Sequence, residues 1–184
     1  KIKKKQFIDV LKHDSKSTNK FGSINLGINF CTGNYIGLLH SDDIFYSNNT
    51  LEDIAKFIKN KYSDLIYGNV MFCDRNNLKR INRVWIEKKF NIGSLDKGWM
   101  PPHTSIFIKN SVVKKVGKYS EDYTISADYD YIVRLFKYKN LKIDHYNNFV
   151  SLMRSGGDSS HIKNLLQKLV EDYRIARIFF KNAW

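Results

Sequence analysis

Acidic side chains are scarce in this chain, 18 against 31 lysines and arginines, so the places where they cluster carry most of the chemical information. Asp42 and Asp43 stand side by side at the end of a short apolar run, Tyr35 to His40. Two adjacent carboxylates at a strand end are unfavourable unless a cation or hydrogen-bond donors sit there, and hard divalent ions such as Mg2+ or Mn2+ favour carboxylate oxygen. Asp is equally a common turn residue, so the pair also fits a loop that starts the next helix. A second acidic pair, Asp128 and Asp130, opens the segment Ala127 to Tyr138. Acids in a first helical turn favour the helix dipole and need no further role, whereas a carboxylate aimed into a cleft can take a proton from a hydroxyl. Two residues apart on a helix, they point in different directions, so only one faces a given ligand. His103 after Pro101-Pro102, and Arg154 before Gly156-Gly157, add an imidazole and a forked cation. Both also fit plainer roles, a histidine packed in a rigid turn and a surface charge. Trp99 and Met100 fit either a cleft or the core.

The elements that position these residues alternate between strands and helices, an α/β pattern. Tyr35 to His40 follows a Thr32-Gly33-Asn34 turn and reads as a short strand buried on both faces, with ligands expected beyond its carboxyl end. Asn49 with Glu52 resembles a capping box and starts a helix from about Thr50 to Lys61. Asp64 to Phe72 and Thr104 to Ile108 read as strands, the latter leading into a short helix that stops at Gly117. Ala127 to Tyr138 is helical, with Asp128 on its first turn, and Leu141 to Met153 is strand and turn. An amphipathic helix of about residues 161–180 follows through Leu165, Leu166, Leu169, Val170, Tyr173 and Ile175. No repeat or linker divides the chain, so a single domain over residues 1–184 is expected.

A hydrophobic fraction of 42% suits a folded domain, and no apolar run approaches the ~20 residues that cross a bilayer. Lys1 to Lys5 lacks the apolar block of a secretory signal. Cys31 and Cys73, without neighbours at metal-ligand spacing, are expected to be buried or half-buried free thiols in a reducing compartment, hence a cytoplasmic location. The net charge of +13 calls for an anionic partner or reflects plain lysine richness. Candidate partners are nucleotide phosphates, the head groups of a cytoplasmic leaflet, and nucleic acid. Lysines and aromatics interleave through Lys79 to Phe90 and Lys137 to Lys142, yet no nucleic-acid motif accompanies them.

Blocks in a fixed order narrow the choice. Gly27-Ile28 with Cys31-Thr32-Gly33-Asn34 and Tyr35-Ile36-Gly37-Leu38-Leu39-His40-Ser41-Asp42-Asp43 resembles the centre of the family 2 glycosyltransferases of the GT-A fold. Leu65 to Asn69, Gly98 to Thr104, Ala127-Asp128-Tyr129-Asp130-Tyr131 with Arg134, and Met153 to Gly157 continue the resemblance, which covers about residues 22–174. It implies a GT-A-like, Rossmann-like mixed sheet flanked by helices, incomplete at the amino-terminal end, where only Asp14 to Asn19 faintly resembles the family's acidic turn. It also implies inverting, Mg2+- or Mn2+-dependent transfer of a sugar from a nucleotide-sugar donor. Asp43 would ligate the metal with His103 near it or the diphosphate. Ser41, Asp42 and Arg154 would bind the nucleotide sugar, Asp42 through the ribose or the metal's water shell. Asp128 would be the catalytic base, with Asp130 as runner-up, and Trp99 and Met100 would line the acceptor cleft. The expected process is surface polysaccharide or lipopolysaccharide assembly on a glycan or lipid-linked acceptor, at the inner face of a membrane. The competing readings are an inactive remnant that binds nucleotide sugar or serves as an interaction module, and a basic nucleic-acid binder.

Overall fold

Nine consecutive residues, Leu65 to Cys73, form the strand on which the sheet is assembled, and Leu65 to Val70 and Cys73 are buried. The computed structural model describes residues 19–156 and 162–180; Lys1 to Lys5, Asp14 to Thr18 and Gly157, singled out above, lie outside them. From the amino end the elements are α1 (Lys20–Phe30), β1 (Tyr35–Gly37), β2 (Ile44–Phe45), α2 (Thr50–Lys61), β3 (Leu65–Cys73) and β4 (Ile81–Trp85). Then come α3 (Ile92–Leu95), a 3-10 turn (His103–Ser105), β5 (Phe107–Lys109), α4 (Asn110–Val116), α5 (Ala127–Lys137), β6 (Ile143–Arg154) and α6 (Ile162–Phe179).

The strand order is β1-β5-β3-β6-β2, with β4 also paired to β3. Only β3 and β6 pair in parallel, from Leu65 opposite Ile143 to Cys73 opposite Arg154. The antiparallel pairings of β1 with β5 and β5 with β3 leave β1, β3 and β6 pointing the same way, so their carboxyl ends share one rim. Side chains alternate across β3 as the strand period requires. Leu65 and Tyr67 enter the larger core with Phe21 of α1, Ile132, Leu135 and Phe136 of α5, and Ile175 of α6. Ile66 faces the other way, onto Ile54 and Ile58 of α2, Tyr146 and Val150. Gly68 sits where β3 and β6 shift register; a Cβ there would meet Val150 Cγ2 at 2.6 Å and the Asn148 carbonyl oxygen at 3.0 Å. No larger residue fits without moving β6.

Several elements differ from expectation. β1 is three residues long and half-exposed, an edge strand instead of one buried on both faces. Asn49 makes no side-chain cap; Ser47 N–H donates to Thr50 Oγ1 at 2.9 Å and closes the turn instead. Residues 103–105 form a 3-10 turn, in which Ser105 Oγ donates to the Pro102 carbonyl, and the strand begins only at Phe107. Leu141 to Met153 is dominated by one long strand, β6. α1 was not anticipated, although Asn19 caps it by accepting from Phe21 N and Gly22 N; neither was β4, whose residues are mostly exposed. Cys31 is exposed and Cys73 buried, both as free thiols. The leucines that mark α6 in the sequence, Leu165, Leu166 and Leu169, face solvent.

The helix is held through its polar side as well as its apolar one. Glu171 of α6 is buried and accepts three backbone N–H bonds, from Thr124 (3.0 Å), Ile125 (2.9 Å) and Ser126 (2.8 Å), the residues that lead into α5. Burial works against its charge, but these bonds and the Gln167 amide hold its carboxyl below the usual value. Replacing Glu171 with Ala leaves three donors unpaired and should lower the unfolding free energy by about 3 kcal/mol in a urea titration at pH 7. Because the folded pKa is depressed, the contribution is present above the ordinary value of 4.5 and is lost as pH falls through the folded value. The variant's stability should accordingly vary less with pH than the parent's across that range.

Candidate active site

After β1 the chain leaves the sheet and turns at His40-Ser41-Asp42-Asp43, where Asp43 N–H donates to the His40 carbonyl at 3.1 Å. β2 then pairs with the end of β6, which brings Arg154 to the turn. Arg154 N–H donates to Asp43 Oδ1 at 3.1 Å, its Nε to the Asp42 carbonyl at 2.8 Å, and its Nη1 to the Arg75 carbonyl. The guanidinium expected at a diphosphate is thus engaged with main-chain oxygens that shape the acidic turn. Asp43 is buried, 8% exposed, and Asp42 is exposed. Burial raises the Asp43 pKa, and the Arg154 N–H opposes that rise. Asp43 Oδ2 is buried with no hydrogen-bond partner.

Across the rim, the first turn of α5 presents Asp128. Its Oδ1 accepts from Tyr129 N at 2.9 Å, and its Oδ2 lies 3.4 Å from His103 Nδ1. His103 in turn meets His40, Nε2 to Nε2, at 2.8 Å, with the two rings edge to face. Burial lowers the His103 pKa to about 4 against the pull of Asp128, with His40 and Lys20 adding to the drop, so the imidazole is neutral at pH 7. Both nitrogens of His103 face protein groups. His40 is the residue that sequence reasoning passed over; a histidine two positions before Asp42 was the available signal.

The remaining candidates separate. Asp130, 6% exposed, binds Arg134 Nε at 2.8 Å, and Arg134 also donates to the carbonyls of Val116 and Lys118. That carboxylate braces α5 against the end of α4. Trp99 packs its ring against Tyr67, Phe90 and Phe136 and donates to buried Glu87 at 2.6 Å, a half-buried place at the margin of the larger core. Met100 lines a cavity of about 460 Å³ with Gly98, Tyr129, Leu169 and Tyr173. Ser41 is exposed beside His40 and His103 at the polar end of a second cavity, about 550 Å³, whose other walls include Ile24, Ile28, Ile36 and Ile108. Such apolar walls suit no diphosphate. Among the described residues, no three His, Cys, Asp or Glu side chains converge as a metal site.

Residues 1–117 match the model of glycosyl transferase family 2. The chain belongs to that family. It is 27% identical over 161 residues to a PGL/p-HBAD biosynthesis glycosyltransferase of Mycobacterium bovis, covering 83% of this chain and 60% of that protein. An uncharacterised glycosyltransferase of Methanocaldococcus jannaschii is 23% identical over 173 residues, covering 92% of this chain and 58% of that one. The chain therefore spans about 60% of the length of these relatives. Staphylococcus aureus TarS (residues 1–349), crystallised with UDP-GlcNAc, superposes with a TM-score of 0.66 over 90% of this chain and 48% of that one. At 14% identity the likeness shows the fold, which is GT-A.

Within this family 2 domain, Asp130→Asn should behave as a structural change. It weakens the Arg134 ion pair and should lower stability by about 1–3 kcal/mol, read from urea denaturation of the variant against the parent. Asp128→Asn, whose side chain pairs only with a half-buried histidine and its own neighbour's N–H, should unfold close to the parent.

Proposed function

We propose that this domain transfers a sugar, with inversion, from a nucleotide-sugar donor to a hydroxyl of a glycan or lipid-linked acceptor in surface polysaccharide or lipopolysaccharide assembly. The observation that supports it is the His40–His103 bridge. It joins Asp128 to the strand end that carries Asp42 and Asp43, so a candidate base and a candidate cation site belong to one assembly.

The acidic turn suits a divalent cation. Asp43 Oδ2 is a buried oxygen lacking a partner, and Asp42 is an exposed carboxylate beside it. Mg2+ keeps much of its water shell and takes one or two carboxylates plus substrate phosphate, so a three-residue cluster is not required. On this reading exposed Asp42 meets the metal nucleotide first, and buried Asp43, held by its Arg154 bond, supports the cation from within the turn. When bound, the cation would offset the charge that gathers on the departing diphosphate. Arg154 holds the turn through main-chain oxygens, and exposed Ser41 is available to the donor. Asp128 takes the proton of the acceptor hydroxyl as that oxygen bonds to the anomeric carbon and the bond to the nucleoside diphosphate breaks. Attack from the face opposite the leaving group inverts the centre. A UDP-sugar is the donor to try first, given the ligand of TarS.

In a protein of the length its relatives have, calorimetry with UDP and Mn2+ should show Asp42→Asn weakening binding by about tenfold or more, which equals roughly 1.4 kcal/mol. Asp128→Asn should bind the donor normally and lower turnover by ~10²- to 10⁴-fold. Normal transfer by Asp128→Asn would end the assignment of the base. A parent that binds UDP with Mn2+ yet transfers to no acceptor would favour the binding-module reading.

The acceptor side is proposed to face an anionic membrane. Among the described residues no helix is long and apolar enough to cross a bilayer. α6, however, exposes Leu165, Leu166, Leu169, Val170 and Tyr173 at helical spacing, flanked by exposed Arg174 and Arg177. An apolar stripe edged by cations suits the interface of an anionic leaflet, where each basic residue contributes about 1 kcal/mol. Co-sedimentation with phosphatidylserine-containing vesicles should exceed that with neutral ones, decline in high salt, and be lost in the Leu166→Asp, Leu169→Asp double variant. Equal binding by parent and double variant would remove α6 from the interface.

A further inference from the structure

The chain of three side chains on the rim, His40, His103 and Asp128, permits one arrangement of protons. An ionised carboxylate only accepts hydrogen bonds, so the His103 nitrogen that faces Asp128, Nδ1, must carry a proton to make a favourable contact. Their separation of 3.4 Å is at the long limit of a hydrogen bond, as catalytic contacts often are before substrate arrives. A neutral imidazole carries one ring proton, so with Nδ1 protonated its Nε2 is bare. The His40 nitrogen 2.8 Å away must be the donor, because two bare nitrogens at that distance would repel. We propose that His40 is a positioning residue: its Nε2–H locks His103 in the Nδ1–H tautomer, and that tautomer aims a donor at Asp128.

The alternative tautomer has a clear cost. With the proton on Nε2, His103 would present a lone pair to the carboxylate, and Asp128 would lose the donor that faces it. His40 therefore sets the orientation of Asp128 without touching it, and it does so from the segment that also carries Asp42. A second consequence concerns the metal. The lone pair of His103 is used by His40, so His103 serves the base and not a cation.

This inference rests on the reading of Asp128 as the base for its functional meaning, but its direct test does not. Long-range ¹H–¹⁵N spectra of the ¹⁵N-labelled chain distinguish protonated from bare ring nitrogens. The expected parent spectrum has His103 with Nδ1 protonated and Nε2 bare, and His40 with Nε2 protonated. His40→Ala should move both His103 nitrogens toward averaged, mixed-tautomer values, and His40→Gln, whose amide can donate from the same side, should restore the parental pattern. A parent His103 protonated on Nε2, or a His103 pattern unchanged in His40→Ala, would overturn the proposal. In a transferring protein, His40→Ala should lower kcat about tenfold with the donor KM unchanged, and His40→Gln should recover most of it. A loss confined to KM would also overturn it. If the tautomers are as expected while Asp128→Asn transfers normally, the base assignment fails and the lock stands.

Discussion

The parallel pairing of β3 with β6 is the constraint on which the rest depends. Parallel strands cannot be joined by a tight turn, so the chain between them must cross over the sheet. That crossover contains β5, α4 and α5. α5 packs on the sheet through Ile132, Leu135 and Phe136 and delivers the chain to the start of β6, which leaves its amino end, with Asp128, toward the rim where β1, β3 and β6 finish. The same pairing carries Arg154 to the far end of β6, opposite Cys73, where it reaches the Asp42–Asp43 turn. The meeting of these side chains on one rim is thus a consequence of strand direction.

Buried carboxylates show how the fold treats charge. Among the described residues four are buried: Asp43, Glu87, Asp130 and Glu171. Glu171 is met by three backbone N–H groups, Asp130 by Arg134, and Glu87 by the indoles of Trp85 and Trp99. Each accepts enough bonds to offset the loss of water, the usual condition for burying an ion. Asp43 alone among them keeps an oxygen, Oδ2, without a partner.

Much of this was legible in the sequence because it rests on local signals. The helix of α2, the stop of α4 at Gly117 with φ +89°, and the place of Asp128 in the first turn of α5 follow from spacing and from glycine's tolerance of positive φ. What was not legible depends on partners distant in sequence. The environment of Asp43 is set by Arg154, 111 residues on, and that of His103 by His40, 63 residues before it. Trp99 packs at the margin of the core because Glu87, Tyr67 and Phe136 adjoin it, which no local pattern encodes. α1 is a different case, since Asn19 and the spacing of Phe21, Ile24 and Ile28 were present to be read.

α6 connects the two halves of the functional reading. Its outer side carries the apolar stripe, and its inner side carries Glu171, which binds the backbone of Thr124, Ile125 and Ser126. Two residues after Ser126 comes Asp128. Whatever fixes α6 in place also fixes the entry to α5, because the three bonds to Glu171 converge on one carboxylate and none can lengthen alone without leaving a buried donor unpaired. A membrane beneath the stripe would therefore restrain the first turn of α5 through a single side chain. The cavity between Met100, Tyr129, Leu169 and Tyr173 lies along the same connection, with Tyr129 next in sequence to Asp128. On the proposed reading, a leaflet-anchored acceptor and Asp128 are both referred to one helix, α6.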